Sequence, residues 1–250
     1  MNLIRLCYNF FKRNSYTWYG VALMNFAKNI YARDPFRKKL KIHNRGSILI
    51  KKWVVGRNNV LNIGNRACLN KVIIKIQGSN NKIYIGDNTF IGKNTRLYIF
   101  GNNLELYIGK NCTINHDDEL LVQEDNSKIY IGDDCMLSHH INLRTSDAHP
   151  IYDAVTGKRS NPAADIRIGN HVWIGANVIV QKGVSIGDGC VIGTYSVVNR
   201  KISNPSMANG ETDSLPVNSC IAGIPAKVVK QNIRWEREFK TNIMDQLVNG

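Results

Sequence analysis

The chain has 250 residues, 43% of them apolar and 21% charged, which excludes a disordered or low-complexity protein and allows one large core or two modest ones. No stretch approaches the roughly 18–20 uninterrupted apolar residues of a membrane span, and Arg5, Lys12 and Arg13 interrupt the early apolar residues in a way that does not fit a secretory signal. The 33 Lys+Arg against 19 Asp+Glu leave a net charge of +14, and residues 1–52 carry twelve of the bases with Asp34 as their one acid.

That basic segment opens the chain and interleaves its cations with Tyr8, Phe10, Phe11, Tyr16, Trp18, Tyr19 and Phe26. The pattern predicts a helical N-terminal extension over residues 1–42. Two readings fit it equally: a helix lying on an anionic membrane or polyanion through residues 1–52, or one that packs its aromatic face on the main domain and keeps its lysines in water.

From about residue 43 the sequence repeats with a period of six. Nine Ile-Gly pairs begin at Ile63, Ile85, Ile91, Ile108, Ile131, Ile168, Ile174, Ile186 and Ile192. Five hexads run in register from Ile168 to Val197, each starting with an aliphatic residue and carrying a small or β-branched residue at its fifth position. Six residues are too few for a helix pair and suit one short strand plus a corner. Three such units close a triangular coil of roughly 18 residues, stacked at about 4.8 Å. Positions one and five then face inward, and the glycine at position two is expected to ease the backbone around the corner. Cys112, Cys135 and Cys190 fall at position five and read as small buried hydrophobes rather than as ligands or nucleophiles. The six cysteines form no C-x-x-C pair, against a zinc ribbon or a thioredoxin-type motif.

Between Val60 and Asn115 the hexads are interrupted by Asn-rich corners such as Gly78-Ser79-Asn80-Asn81. Residues 144–165 and 200–218 fit no hexad and are expected as loops thrown out of a β-helix spanning 43–229. Residues 230–250 are expected as a short closing helix.

The motifs SDAHP (146–150), GNHVWIGANV (169–178) and IAGIPAKVVK (221–230), with about 25 residues between His149 and the WIG triplet, resemble the hexapeptide-repeat acyltransferases, closest to the sugar and capsule-polysaccharide O-acetyltransferases. The resemblance covers roughly residues 83–230. It implies an all-β, left-handed parallel β-helix, against the usual right-handed crossover. It also implies a cytoplasmic homotrimer with active sites between subunits, sited in part at the inner membrane surface if the basic segment binds lipid, and an acetyl-CoA-dependent transfer to a hydroxyl of a surface polysaccharide or its precursor. His149 then maps to the general base, and the Ala176 backbone N–H to the oxyanion donor. Trp173, Ala176, Thr194, Asn199, Arg200, Lys227 and Lys230 map to acetyl-CoA contacts, and Asp147, Asp118, His116 and Tyr152 to acceptor contacts. Neither a metal nor a nucleic-acid partner is expected.

His139 and His140 are expected to be solvated or at an interface, while His171 sits at an outward position that could line the cleft. A zinc hydratase on the same prism would need an H-x-x-x-x-H pair, and the nearest grouping here is His139-His140 with His149. An aminosugar N-acetyltransferase would use the same base and groove. A non-catalytic glycan- or membrane-binding scaffold is the remaining alternative.

Overall fold

The structure, a computed structural model, describes residues 40–199 and 216–238. Residues 1–39, most of the 200–218 excursion, Arg200 and residues 239–250 lie outside them.

Apolar residues at every second position make short strands, and these wind into a three-sided coil. One face is a parallel sheet whose successive strands are Leu40–Asn44, Asn59–Ile63, Lys82–Ile85, Glu105–Ile108, Lys128–Ile131, Ile166–Ile168 and Ser185–Ile186. The other two faces join through the long strand Cys68–Gln77. Its start pairs with Phe90–Ile91 on the second face, and its end with Arg96–Phe100 on the third. The second face continues through Thr113–His116, Met136–His139, Trp173–Ile174, Val191–Ile192 and Cys220–Gly223. The third continues through Glu119–Gln123, Asn142–Arg144, Ile179–Val180 and Val197–Val198.

Position one of the hexad points inward as expected: Ile63, Ile85, Ile108, Ile131, Ile168 and Ile186 stack in one column, none more than 3% exposed. Each is worth about 2–3 kcal/mol of burial. Cys112, Cys135 and Cys190 are buried as expected, and desolvation pushes the Cys190 thiol up, away from the thiolate a nucleophile needs. Outside the first face, Tyr84, Tyr107 and Tyr130 stack with centroids 4.7 Å apart, repeating the coil spacing.

Two expectations change. The coil is 18 residues long at its C-terminal end, where Asn170 bonds to Asp188 across 18 positions; the coils between Asn65 and Asp133 step 22 or 23 residues, and the first, which pairs Leu40 with Asn59, steps 19. The extra residues form the five-residue third-face strands Arg96–Phe100 and Glu119–Gln123, and the Asn-rich corners that follow. Buried Asn81 holds such a corner by donating to the Gly101 carbonyl (2.9 Å) and accepting from the Leu104 N–H (2.8 Å). The repeat glycines, moreover, are needed for closeness rather than for turning. Gly86 and Gly132 do not have left-handed backbones, but a Cβ on Gly86 would meet Gly109 C at 2.5 Å, and one on Gly132 would meet Gly169 O at 2.6 Å. Positive φ falls instead to Asn88, Asn111, Asp134 and their equivalents.

The first strand already starts at Leu40. At the other end, Ala226–Lys230 turns back antiparallel on Cys220–Gly223. Residues 231–238 contain no helix; they run as a strap across the coils. The Trp235 ring stacks on His171 (4.1 Å), and its Nε1–H donates to the His171 carbonyl (3.0 Å). Arg237 donates to Asp134 Oδ1 (2.8 Å), the Asn111 carbonyl (3.1 Å) and the Cys135 carbonyl (2.9 Å).

Candidate active site

The chain leaves the third face at Thr145 and returns at Ile166. Thr145 Oγ1 anchors the exit, accepting from the Gln123 N–H (2.8 Å) and donating to the Gln123 carbonyl (2.9 Å). Ser146 Oγ donates to Glu124 and accepts from the Ala148 N–H (2.9 Å), which holds Ala148 at φ +66°. Arg159 forks onto both oxygens of Glu124 (2.6 and 2.8 Å) and holds its carboxyl well below the usual range, at about 2.

Asn161, 9% exposed, grips the histidine loop at three alternate residues. Its Nδ2 donates to Asp147 Oδ2 (2.9 Å) and to the His149 carbonyl (2.9 Å), and its Oδ1 accepts from the Ile151 N–H (2.6 Å). Lys182 Nζ donates to Asp147 Oδ2 (2.5 Å) and to the Asn161 carbonyl (2.9 Å), and its cation holds the Asp147 carboxyl down. The His149 backbone is thus fixed. Its side chain is exposed and makes no hydrogen bond or ion pair among the described residues. The backbone is held in place while both ring nitrogens stay open to a partner from outside the described residues.

Ala176 occupies the corner between the second and third faces. Its carbonyl accepts from the Tyr195 N–H (2.9 Å), while its own N–H has no partner among the described residues. At another corner the matching N–H groups of Asn65, Lys110, Asp133 and Asn170 each donate to an Asp or Asn one coil on. The open N–H at Ala176 is free to meet an oxyanion. Trp173, 38% exposed, begins the adjoining strand 6.0 Å from Trp235. Thr194 is exposed one coil beyond Ala176, Asn199 is half-buried, and Lys227 and Lys230 are exposed on the terminal strand.

The remaining candidates separate. His116 is half-buried at the Ala176 corner, bonded to Asp117 (2.7 Å). Tyr152 is 60% exposed and bridges Arg159 on the far limb of the loop. Asp118 is a correction: it lies inside the prism, fully buried, with Oδ1 accepting from the Ile141 N–H (2.7 Å), so it faces no acceptor. His171 is likewise committed, to Asp134 and the Trp235 carbonyl. Sequence reasoning missed Glu124, Asn161 and Lys182, whose partners lie up to 35 positions away. Among the described residues no group of His, Cys, Asp or Glu is placed to hold a metal, and no helix is long and apolar enough to cross a membrane.

The His149 loop and Ala176 belong to opposite edges of one face. Strand Asn142–Arg144 pairs with Ile179–Val180; the loop follows the end of the first and is tied to Lys182 beyond the second, whereas Ala176 precedes the second.

Residues 165–200 match the family described as bacterial transferase hexapeptide (six repeats). A polysialic acid O-acetyltransferase of Neisseria meningitidis is 36% identical over 207 residues, covering 76% of this chain and 91% of that protein. A protein of the same name from Escherichia coli O1:K1 is 36% identical over 102 residues, 41% of this chain but only 29% of that longer protein. The crystal structure of the polySia-specific acetyltransferase NeuO superposes with a TM-score of 0.66 at 29% identity, covering 83% of this chain and 87% of that one. A three-sided prism of stacked hexads with a histidine loop on its rim is the architecture of a hexapeptide-repeat acyltransferase. The chain belongs to that family, on the side of the sugar O-acetyltransferases.

Proposed function

We propose that the protein is an acetyl-CoA-dependent O-acetyltransferase acting on a hydroxyl of an acidic surface polysaccharide or its precursor, with His149 as general base. The observation that carries the reading is the rigidly held loop presenting a free imidazole, on a prism whose Ala176 N–H is also unpaired. Acetyl-CoA brings the thioester that is attacked. His149 takes the proton of the sugar hydroxyl as its oxygen attacks, and Ala176 N–H donates to the oxyanion. The imidazolium then returns the proton to the departing thiolate. Trp173, Ala176, Thr194 and Asn199 flank the donor, Lys227 and Lys230 attract its phosphates, and Asp147, His116 and Tyr152 border the acceptor.

Because His149 and Ala176 sit at opposite edges of one face, a complete site joins the His149 of one copy to the Ala176 of the next, which favours the homotrimer. The acidic acceptor follows from the names of the relatives and from the basic segment 1–52, which would also hold the enzyme near anionic glycan or the cytoplasmic membrane face. In the test, CoA release is followed with free sugars, nucleotide sugars, aminosugars and polysaccharides. His149→Ala should lower turnover by about 10²–10⁴-fold and leave the oligomer intact; unchanged turnover removes His149 from the mechanism.

A further inference from the structure

Directly below Ala176 the same corner carries a group of imidazoles, of which only His116 has been given a place beside the acceptor and none a part in the proton transfer. His116 pairs with His139 in register, and continuing the pairing of Met136 with Trp173 places Ala176 one coil above His139. The His116 and His139 rings stack at 5.1 Å and 2°, and His140 stands edge-on to both, at 6.1 and 5.1 Å. His140 sits at φ +57°, a position that the coils on either side fill with Asp117 and Asn177, so a bulkier ring stands where the backbone favours Asx.

The hydrogen bonds decide which atoms face outward. His116 Nδ1 is bonded to Asp117 Oδ2 (2.7 Å), and His139 Nδ1 to His140 Nδ1 (2.8 Å). All three Nδ1 atoms are therefore spent within the group, and the three Nε2 atoms have no partner among the described residues. In the His139–His140 bond one ring accepts at Nδ1, so that ring must carry its proton on Nε2 and donate outward. Lys93 is exposed one coil below His116 in the same column. Of the nearby carboxylates, Asp117 is occupied by His116 and Asn94, and Asp118 is turned into the core. The surface presents one fixed Nε2–H donor of the His139–His140 pair beside the Lys93 cation, with the nearby acids already engaged.

We infer that His116, His139 and His140 form an acceptor subsite that binds the carboxylate of an acidic sugar unit, holding it one coil below the Ala176 N–H. This rests on the reading of the site given above and adds what selects the acceptor: an outward Nε2–H and Lys93 supply charge-assisted hydrogen bonds to a carboxylate, which a neutral sugar does not offer.

The test is a binding measurement, independent of turnover, with the full chain carrying His149→Ala. Calorimetric titrations use oligosialic acid as the acidic probe and the same oligomer with its carboxylates reduced to alcohols. The double variant His139→Ala/His140→Ala on this background should bind the acidic oligomer about fivefold or more weakly, the loss of one or two charge-assisted bonds. Its weaker affinity for the reduced oligomer, its acetyl-CoA affinity and its melting temperature should stay unchanged. His139→Gln/His140→Gln, which keeps donors, should recover part of the loss. Equal affinity of the parent chain for both oligomers overturns the inference, as does an affinity for the acidic oligomer that the double variant leaves intact. Either result leaves the role of His149, which is judged by turnover, untouched.

Discussion

Asp118 shows how one buried carboxyl sets a pH dependence. Desolvation raises its pKa to about 7, against a hydrogen bond from the Ile141 N–H that favours the anion. Its Oδ2 and the Thr95 hydroxyl one coil below are both buried without a partner. Because the folded pKa lies above the unfolded value near 3.9, the folded state holds the proton more tightly. Stability from this group is fully present below about pH 4, falls as pH rises toward 7, and stays low above that. Asp118→Asn keeps an acceptor for Ile141 and offers an N–H to Thr95. It should raise stability at pH 8 by on the order of 2–4 kcal/mol and leave it nearly unchanged at pH 4. Thermal melts at the two pH values check this; equal shifts at both would refute the desolvation argument. In the sequence this residue reads as a polar neighbour of His116, because the fifth position of the hexad takes a small or branched side chain and an aspartate there gives no sign that it points inward.

The loop over 145–165 depends on elements far from it in sequence. Asn161 binds Asp147, His149 and Ile151, and Lys182 ties the assembly to the next coil. Asn161→Ala removes these bonds without opening the prism. Turnover should fall about 10–100-fold with the KM for acetyl-CoA unchanged, and the melting temperature should move little, since the loop lies outside the core; a parallel rise in that KM would mean that the loop instead shapes the donor groove. The loop itself was legible as a break in the hexad rhythm, and His149 from its HP motif. Its supports were not, because a Glu on one coil, an Asn on the far limb and a Lys on the next coil share no local pattern. The glycines teach the same lesson. Their position was legible, but their reason lies in the adjoining coil, where a Cβ on Gly132 would meet the Gly169 carbonyl oxygen.

At the scale of the molecule, stability comes from each coil resting on its neighbours, and the C-terminal strap adds a link across several of them. Trp235 is 7% exposed against His171, and Arg237 reaches the coils of Asn111 and Cys135. Trp235→Ala should cost about 3 kcal/mol, in the usual range for a buried aromatic, and should red-shift the Trp173 fluorescence by exposing its flank to water; a wild-type melting curve would show that the strap is ornamental. The triangular coil and its inward columns were legible because a period of six admits few alternatives. Over residues 231–238, the described part of the segment expected as a closing helix, a strap forms instead because these residues find hydrogen-bond partners on the prism, Ile233 donating to the Asn218 carbonyl (2.9 Å) and Arg237 to two others; residues 239–250 lie outside the described residues.

The two coil lengths make the prism modular in unequal units. A wide coil ends in a corner closed by side chain to main chain bonds to the next wide coil, as Asn81 reaches Gly101 and Leu104. A narrow coil lacks that ledge. Grafts or duplications that exchange wide for wide, or narrow for narrow, conserve every rung, whereas a narrow turn spliced among wide ones would strand an amide in the interior. A graft should therefore exchange turns of like size, and the passage from the wide turns to the 18-residue ones falls at the coil that bears the histidine loop.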